Sequence, residues 1–207
     1  MDKKTLLITT SNLNKAREIK EILKDLPLEI KTLKDFFDIK PPEETGKTFF
    51  ENALIKAKYY AEKTGYLCLA DDSGLEVEAL NGAPGVYSSR FAGENATDEE
   101  NNKKLLEALK DIPPEKRKAK FVCVMIVYYP SGKYIKTEGI WEGKIALEPR
   151  GSFGFGYDPL FLVPEYNYEK TAAELPLEEK NKLSHRAKAL KQLKEILPKF
   201  LKELNLK

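Results

Sequence analysis

Several kinds of sequence feature are scarce or missing here, and each gap closes off a class of function. No apolar run approaches the ~20 residues that cross a bilayer. The start, Met1-Asp2-Lys3-Lys4, leads into an apolar-leaning stretch too short for the hydrophobic region of a signal peptide. Cytoplasmic residence without membrane association is therefore expected. There are only two cysteines, Cys68 and Cys123, and each sits inside an apolar segment. Neither has a second cysteine or a histidine at metal-ligand spacing, so both are expected to be buried core thiols. A large charge of one sign is also missing: 35 basic residues against 33 acidic ones leave a net charge of +2. That balance gives no global reason to expect a nucleic acid as partner, although a local basic pocket remains open.

Familiar catalytic and nucleotide signatures are absent or broken. Gly-x-Ser-x-Gly, His-Glu-x-x-His and Cys-x-x-Cys do not occur. Gly46-Lys47-Thr48 has the ending of a phosphate-binding P-loop, but Pro41 holds the upstream glycine position and the preceding segment is a poor strand. Gly154-Phe155-Gly156 begins a dinucleotide fingerprint, yet Pro159 stands at the third glycine.

What remains is a globular composition, 42% hydrophobic and 33% charged over 207 residues. That suits one substantial domain, or one domain with a small lobe. The run 5–9 reads as a buried strand, followed by the turn and N-cap cluster Thr10-Ser11-Asn12-Leu13-Asn14. A helix should follow, with Ala16, Ile19, Ile22 and Leu23 on one stripe and Pro27 ending it. A strand at about 28–33 completes β-α-β order, the start of an α/β fold. A long helix is expected at about 48–63, then a strand at Cys68-Leu69-Ala70 that stops at Asp71-Asp72-Ser73-Gly74. Residues 81–98 read as a long ordered loop and 97–110 as a helix. Strands at 119–129 and 134–143 are joined by a hairpin signal, Pro130-Ser131-Gly132. A glycine-aromatic loop covers 151–158, and an amphipathic helix at 184–205 closes the chain.

Polar clusters near the expected strand ends carry the chemistry. Asp71-Asp72 places two carboxylates after an apolar strand, where they repel each other unless a cation or hydrogen-bond donors offset them. Mg²⁺ takes such oxygens together with substrate phosphates, and an Asx turn or cap is the alternative reading. Glu43-Glu44 is either a further source of metal oxygens or a surface acidic pair. Lys15 opens a helix behind Ser11, Asn12 and Asn14, as an anion site does, although ordinary capping with a solvated lysine also fits. Lys56 alone reads as a surface lysine. In Gly154-Phe155-Gly156-Tyr157-Asp158-Pro159, a base could stack on a ring and Asp158 could accept from a purine N–H, or the rings could plug the core. Ser184-His185-Arg186 holds the only histidine, with Ser184 as an N-cap and Arg186 as a possible donor to a base carbonyl or phosphate.

Taken in order, these stretches resemble the inosine triphosphate pyrophosphatase family over nearly the whole chain. The matching blocks are Thr10 to Lys15, Glu43 to Gly46, Phe50 to Ala53 with Lys56, and Ala70 to Leu75. They continue with Gly82 to Arg90, Gly154 to Pro159, Lys170 to Glu174, and Ser184 to Arg186. The resemblance implies a single domain over 1–207, an α/β fold with a long mixed sheet, two lobes around a deep cleft, and a homodimer. The implied reaction is Mg²⁺-dependent hydrolysis of non-canonical purine nucleoside triphosphates (ITP, dITP, XTP), by water attack at the α-phosphorus with pyrophosphate leaving. Carried over residue by residue, the proton acceptor is Asp72, the metal ligands are Glu44 and Asp72, and Ser73 lies beside the substrate. Thr10, Ser11, Asn12, Leu13, Asn14, Lys15 and Lys56 contact phosphate. Base recognition falls to Phe155, Gly156, Tyr157, Asp158, Lys180, His185 and Arg186. Leu13-Asn14 and Phe153 depart from the family's usual small residues and leave the shapes of their loops open.

Overall fold

The apolar run at the start of the chain forms strand β1 (Lys4–Ile8) in the computed structural model, which describes residues 4–36 and 38–204. Asn12 then caps helix α1 (Leu13–Leu23) by accepting from the backbone N–H groups of Asn14 and Lys15. This helix ends at Leu23, one turn ahead of Pro27. Strand β2 (Leu28–Thr32) returns parallel to β1. Thr48 caps the long helix α2 (Phe49–Thr64), which Gly65 terminates in the left-handed conformation that favours glycine.

Strand β3 (Leu67–Val77) pairs parallel with β1 and overturns one expectation: it does not stop at Asp71. Both carboxylates find cationic partners inside the protein, so the strand runs through them and resumes a buried apolar pattern at Leu75 and Val77. The expected loop at 81–98 contains a 3₁₀ segment, Gly85–Arg90, before helix α3 (Asp98–Ala108). Strands β4 (Lys118–Tyr128) and β5 (Tyr134–Ile145) are joined by a tight turn in which Tyr129 N–H donates to the Lys133 carbonyl, as the hairpin signal requires. The two-residue strand β6 (Phe161–Leu162) and the short helix α4 (Leu177–Leu183) carry too little periodicity to be read in advance. Helix α5 (His185–Glu203) follows; position 205, the last of the expected closing helix, lies outside the described residues.

The strands are hydrogen-bonded in the order β2-β1-β3-β4-β5-β6. Parallel pairing at β1 and antiparallel pairing of β5 with β6 make the sheet mixed, as expected of this α/β fold. Contacts divide the chain into two compact units. One holds Met1–Asp72, Cys123–Gly139 and Arg186–Lys207, the other Ser73–Val122 and Ile140–His185.

In the first unit, Leu6, Ile8, Leu67 and Leu69 from the strands pack with Ile19 and Leu23 of α1 and with Leu190, Leu193, Leu197 and Phe200 of α5. Each such side chain contributes about 1.5–3 kcal/mol by leaving water, which offsets the disruption from Pro198 inside α5. Successive strand residues face opposite ways, so Cys68 turns to the other face and meets Thr64 of α2. Both cysteines are free and buried, and burial pushes the Cys68 thiol up to about 12.

The second unit is built around a cluster of mutually tilted aromatic rings. Phe121 and Phe161 lie 4.4 Å apart, and Trp141 is 5.1 Å from Phe161. Arg117 is buried beside this cluster without a carboxylate partner among the described residues; it donates instead to three carbonyls, those of Ile112 (2.8 Å), Ala146 (3.1 Å) and Leu109 (2.6 Å). A planar fork spans three acceptors where an ammonium cannot. Arg117→Lys therefore loses at least about 2 kcal/mol of stability, because buried carbonyls go unpaired. Urea unfolding checks this, with a change below 0.5 kcal/mol (roughly the scatter of surface substitutions) counting against it.

Candidate active site

The adjacent carboxylates of β3 face opposite ways, and each meets different cations. Asp71 is buried and accepts from Lys15 Nζ at 3.1 Å, from Arg186 Nε at 3.0 Å and from the Cys123 thiol at 3.0 Å. Arg186 also donates to Glu18 at 2.7 Å, so α1 and α5 are tied to β3 through a buried network. Burial alone would raise the Asp71 pKa, but Lys15 and Arg186 outweigh it and hold the carboxyl well below the usual range. The same two carboxylates raise the pKa of Arg186 against the effect of its burial.

Asp72 has weaker partners. Lys56 Nζ stands 3.7 Å from Asp72 Oδ1 and 3.2 Å from Glu44 Oε1, and donates to the Asp71 backbone carbonyl at 2.6 Å. Asp72 Oδ2 is buried without a hydrogen-bond partner. Burial pushes the Asp72 pKa up to about 6 despite the attraction of Lys56 and Lys15, while Glu44 and Asp71 add repulsion. Glu44 reaches this position because Gly46 allows a close turn: a Cβ there would crowd Glu51 and Asn52. Asn52 accepts the Gly46 N–H at 2.7 Å.

An unpartnered carboxylate oxygen beside a second carboxylate suits a hard divalent cation, and Lys56 supplies positive charge between the two. Among the described residues, no cluster of three or more His, Cys, Asp or Glu side chains is placed to hold a metal by itself. A Mg²⁺ here would therefore draw further oxygens from substrate phosphates or water.

In the loop before α1, Thr10 Oγ1 accepts the Asn12 N–H at 3.1 Å, so the capping reading holds for Asn12. Lys15, however, is not a solvated lysine but the partner of Asp71. Thr10, Ser11 and Leu13 line a groove of about 490 Å³ with Arg17, Lys20 and Lys34, a cationic setting beside a helix N-terminus. Leu13 is 58% exposed there.

The remaining sequence-derived residues belong to the second unit, apart from Arg186. Its glycine-aromatic loop is held from below by Asp158, which is buried and accepts from the Phe155 N–H at 3.0 Å and from Lys180 Nζ at 2.6 Å. Gly154 makes this possible, since a Cβ there would collide with the Asp158 carboxylate. The alternatives for the two rings divide between them. Tyr157 is a core plug whose hydroxyl donates to the Ser88 carbonyl at 2.6 Å, whereas Phe155 is half-buried with Lys180 Nζ 4.4 Å from its ring centroid. His185 stacks on Phe121 at 4.7 Å, and Ser73 is half-buried at the start of this unit. Glu18, Asp98 and Asn102 went unread as site residues in the sequence, and Cys123 was read as a buried core thiol and not as a partner of Asp71. Asn101 and Asn102 gave a usable signal, as polar residues spaced with Leu105 and Leu109 on the core-facing stripe of α3.

The first unit thus carries two carboxylates sharing a lysine, a setting suited to phosphate and a divalent cation, and the second carries a hydrogen-bonded glycine-aromatic loop with a half-buried ring. The chain belongs to the Ham1 family, whose family model matches residues 6–196. This agrees with the resemblance carried by the eight sequence blocks. A dITP/XTP pyrophosphatase of Desulfotalea psychrophila is 51% identical over 96% of this chain and 87% of its own length. One from Thermoanaerobacter pseudethanolicus is 53% identical, covering 96% of this chain and 98% of its own length. Among solved structures, a HAM1 protein from Coxiella burnetii superposes with a TM-score of 0.85 at 46% identity, covering 95% of this chain and 99% of that one. The Staphylococcus aureus Ham1 protein gives 0.83 at 41% identity, with 94% and 98% covered.

The raised pKa of Asp72 has a consequence for stability. A folded-state value near 6, against about 3.9 unfolded, means that the folded state binds the extra proton between those pH values. Stability is then fully present below about 4 and lost as pH rises through about 6, by at most ~3 kcal/mol. Asp72→Asn removes that loss. In EDTA the variant should be more stable than wild type at pH 8, and the gap should narrow at pH 5. Urea unfolding at the two pH values reads this directly, and equal gaps would contradict it.

Proposed function

We propose that this chain is a Mg²⁺-dependent nucleoside triphosphate pyrophosphatase that hydrolyses the non-canonical purine nucleotides ITP, dITP and XTP to monophosphate and pyrophosphate. The observation that carries the reading is Asp72, a buried carboxylate with one unpartnered oxygen beside Glu44 and Lys56. Relatives named dITP/XTP pyrophosphatase, about half identical over nearly the whole chain, support the same activity.

Water attacks the α-phosphorus; its oxygen forms the new P–O bond, and the bond to the bridging oxygen of the leaving pyrophosphate breaks. Asp72 accepts the proton of that water. Glu44 and Asp72 would hold the Mg²⁺, which when bound neutralises phosphate charge and acidifies water. Lys15 and Lys56 stabilise charge developing on the pyrophosphate, and the Thr10–Asn14 loop orients the phosphates. Phosphoryl chemistry of this kind relies on positioning and electrostatics, so no covalent nucleophile is needed.

Base recognition is assigned to Phe155 through Asp158, with Lys180, His185 and Arg186, and Ser73 lies beside the substrate. A 6-oxo purine presents an acceptor where adenine presents an amine, and a site lined by donors discriminates between them. Arg186 Nε and Nη1 donate to Asp71 and Glu18, and Lys180 Nζ donates to Asp158 while standing 4.4 Å from the Phe155 ring centroid. A homodimer and a single two-lobed domain belong to the same reading and rest on the family resemblance, while cytoplasmic residence rests on the short apolar runs of the sequence. No described helix is long and apolar enough to cross a membrane.

Product analysis with ITP, XTP, GTP, ATP and dTTP, in Mg²⁺ and in EDTA, tests the reading. Pyrophosphate should be released from ITP and XTP in Mg²⁺ only. Release of single phosphates, or a preference for dTTP, would overturn it. Asp72→Asn and Glu44→Gln should each lower kcat by about 10²-fold or more, the scale on which lost transition-state electrostatics act. Either variant turning over at the wild-type rate would remove that residue from the mechanism.

A further inference from the structure

The loop that presents Phe155 is gripped from a second side, by the first turns of α3. Asp98 Oδ2 accepts the Gly156 N–H at 2.9 Å, and Asn102 Nδ2 donates to the Gly156 carbonyl at 3.1 Å. The two side chains stand four residues apart on one face of α3, so a single helix surface binds both polar backbone groups of one residue. Gly156 adopts φ +59°, a left-handed conformation that glycine takes without strain. A Cβ there would meet nothing within 4 Å, so it is backbone conformation and not space that calls for glycine. With the Phe155 N–H held by Asp158, the backbone on both sides of the Phe155 side chain is fixed.

We infer that Asp98 and Asn102 are positioning residues for base recognition, clamping Gly156 so that the Phe155 ring is set for stacking before a purine arrives. The inference rests on the base site proposed above and adds two residues that touch no substrate themselves. Holding the loop in its binding geometry removes an ordering penalty from nucleotide binding, so the clamp acts on affinity for the base and not on the chemical step. Asp98 is exposed and Asn102 is buried, so Asp98 can be truncated without opening the core.

The test is steady-state kinetics of the full chain with ITP, with inosine and inorganic triphosphate as separate competitive inhibitors. Asp98→Ala should raise the KM for ITP and the Ki for inosine by about tenfold, the scale of one hydrogen bond to a charged group. Its kcat should stay within about twofold of wild type, with the Ki for inorganic triphosphate unchanged. Asn102→Ala should do the same, and Asp98→Asn, whose amide oxygen still accepts the Gly156 N–H, should restore wild-type values. Glu99→Ala removes the same charge from the same helical turn without touching the loop, and should have no effect. Unchanged KM and inosine Ki in Asp98→Ala, or equal effects on inosine and triphosphate, would overturn the clamp. Phe155→Ala separates the two claims. If it leaves the inosine Ki unchanged, the base-site reading fails and the clamp's role fails with it; if it weakens inosine while Asp98→Ala does not, the clamp alone fails.

Discussion

Two carboxylates adjacent in a buried strand impose the condition that the rest of the first unit meets. Each would incur a desolvation penalty of several kcal/mol if left ionised and unpaired. The strand sends them to opposite faces, and the two faces answer differently. Asp71 is enclosed by Lys15, Arg186 and Cys123, with Glu18 balancing the second charge of the network, and stays ionised. Asp72 receives a shared lysine at 3.7 Å and keeps one oxygen unpartnered. The first arrangement is a structural tie between α1, β3 and α5. In the second, charge is left incompletely compensated, as in a site that gains a cation with its substrate.

The same contrast between fixed and available groups governs the second unit. In the loop 154–158, Asp158, Tyr157 and both backbone groups of Gly156 are tied down by Lys180, Ser88, Asp98 and Asn102. Phe155 keeps a half-exposed ring with a cation near its face. Under the proposed base site, a ring on such a tethered loop would meet a flat base with little reorganisation.

Much of this was legible in the sequence, at the resolution that local pattern allows. Strands β1, β2, β4 and β5 and helices α1, α2, α3 and α5 follow from apolar periodicity and capping residues, and the hairpin at 130–132 from its turn residues. The passage of β3 through Asp71 and Asp72 was not, because a pair of acids reads locally as a strand end. The partners that permit them inside come from other elements: Lys15, Cys123 and Arg186 for Asp71, and Lys56 of α2 for Asp72. Lys56 shows the same limit: its helical spacing reads as surface, while its charge is fixed by Glu44 and Asp72. The ordered blocks named candidate site residues without saying how they are held. Glu18, Asp98 and Asn102 do the holding, and their roles depend on contacts that no short motif encodes.

The division of labour between Asp71 and Asp72 is the central claim. A crystal structure with Mg²⁺ and a non-hydrolysable imido analogue of ITP tests it most directly. The account predicts the metal on Asp72 and Glu44, bridged to phosphate oxygens, with Asp71 still bound to Lys15 and Arg186. A metal ligated by Asp71, or one out of reach of the Asp72 carboxylate, would contradict it.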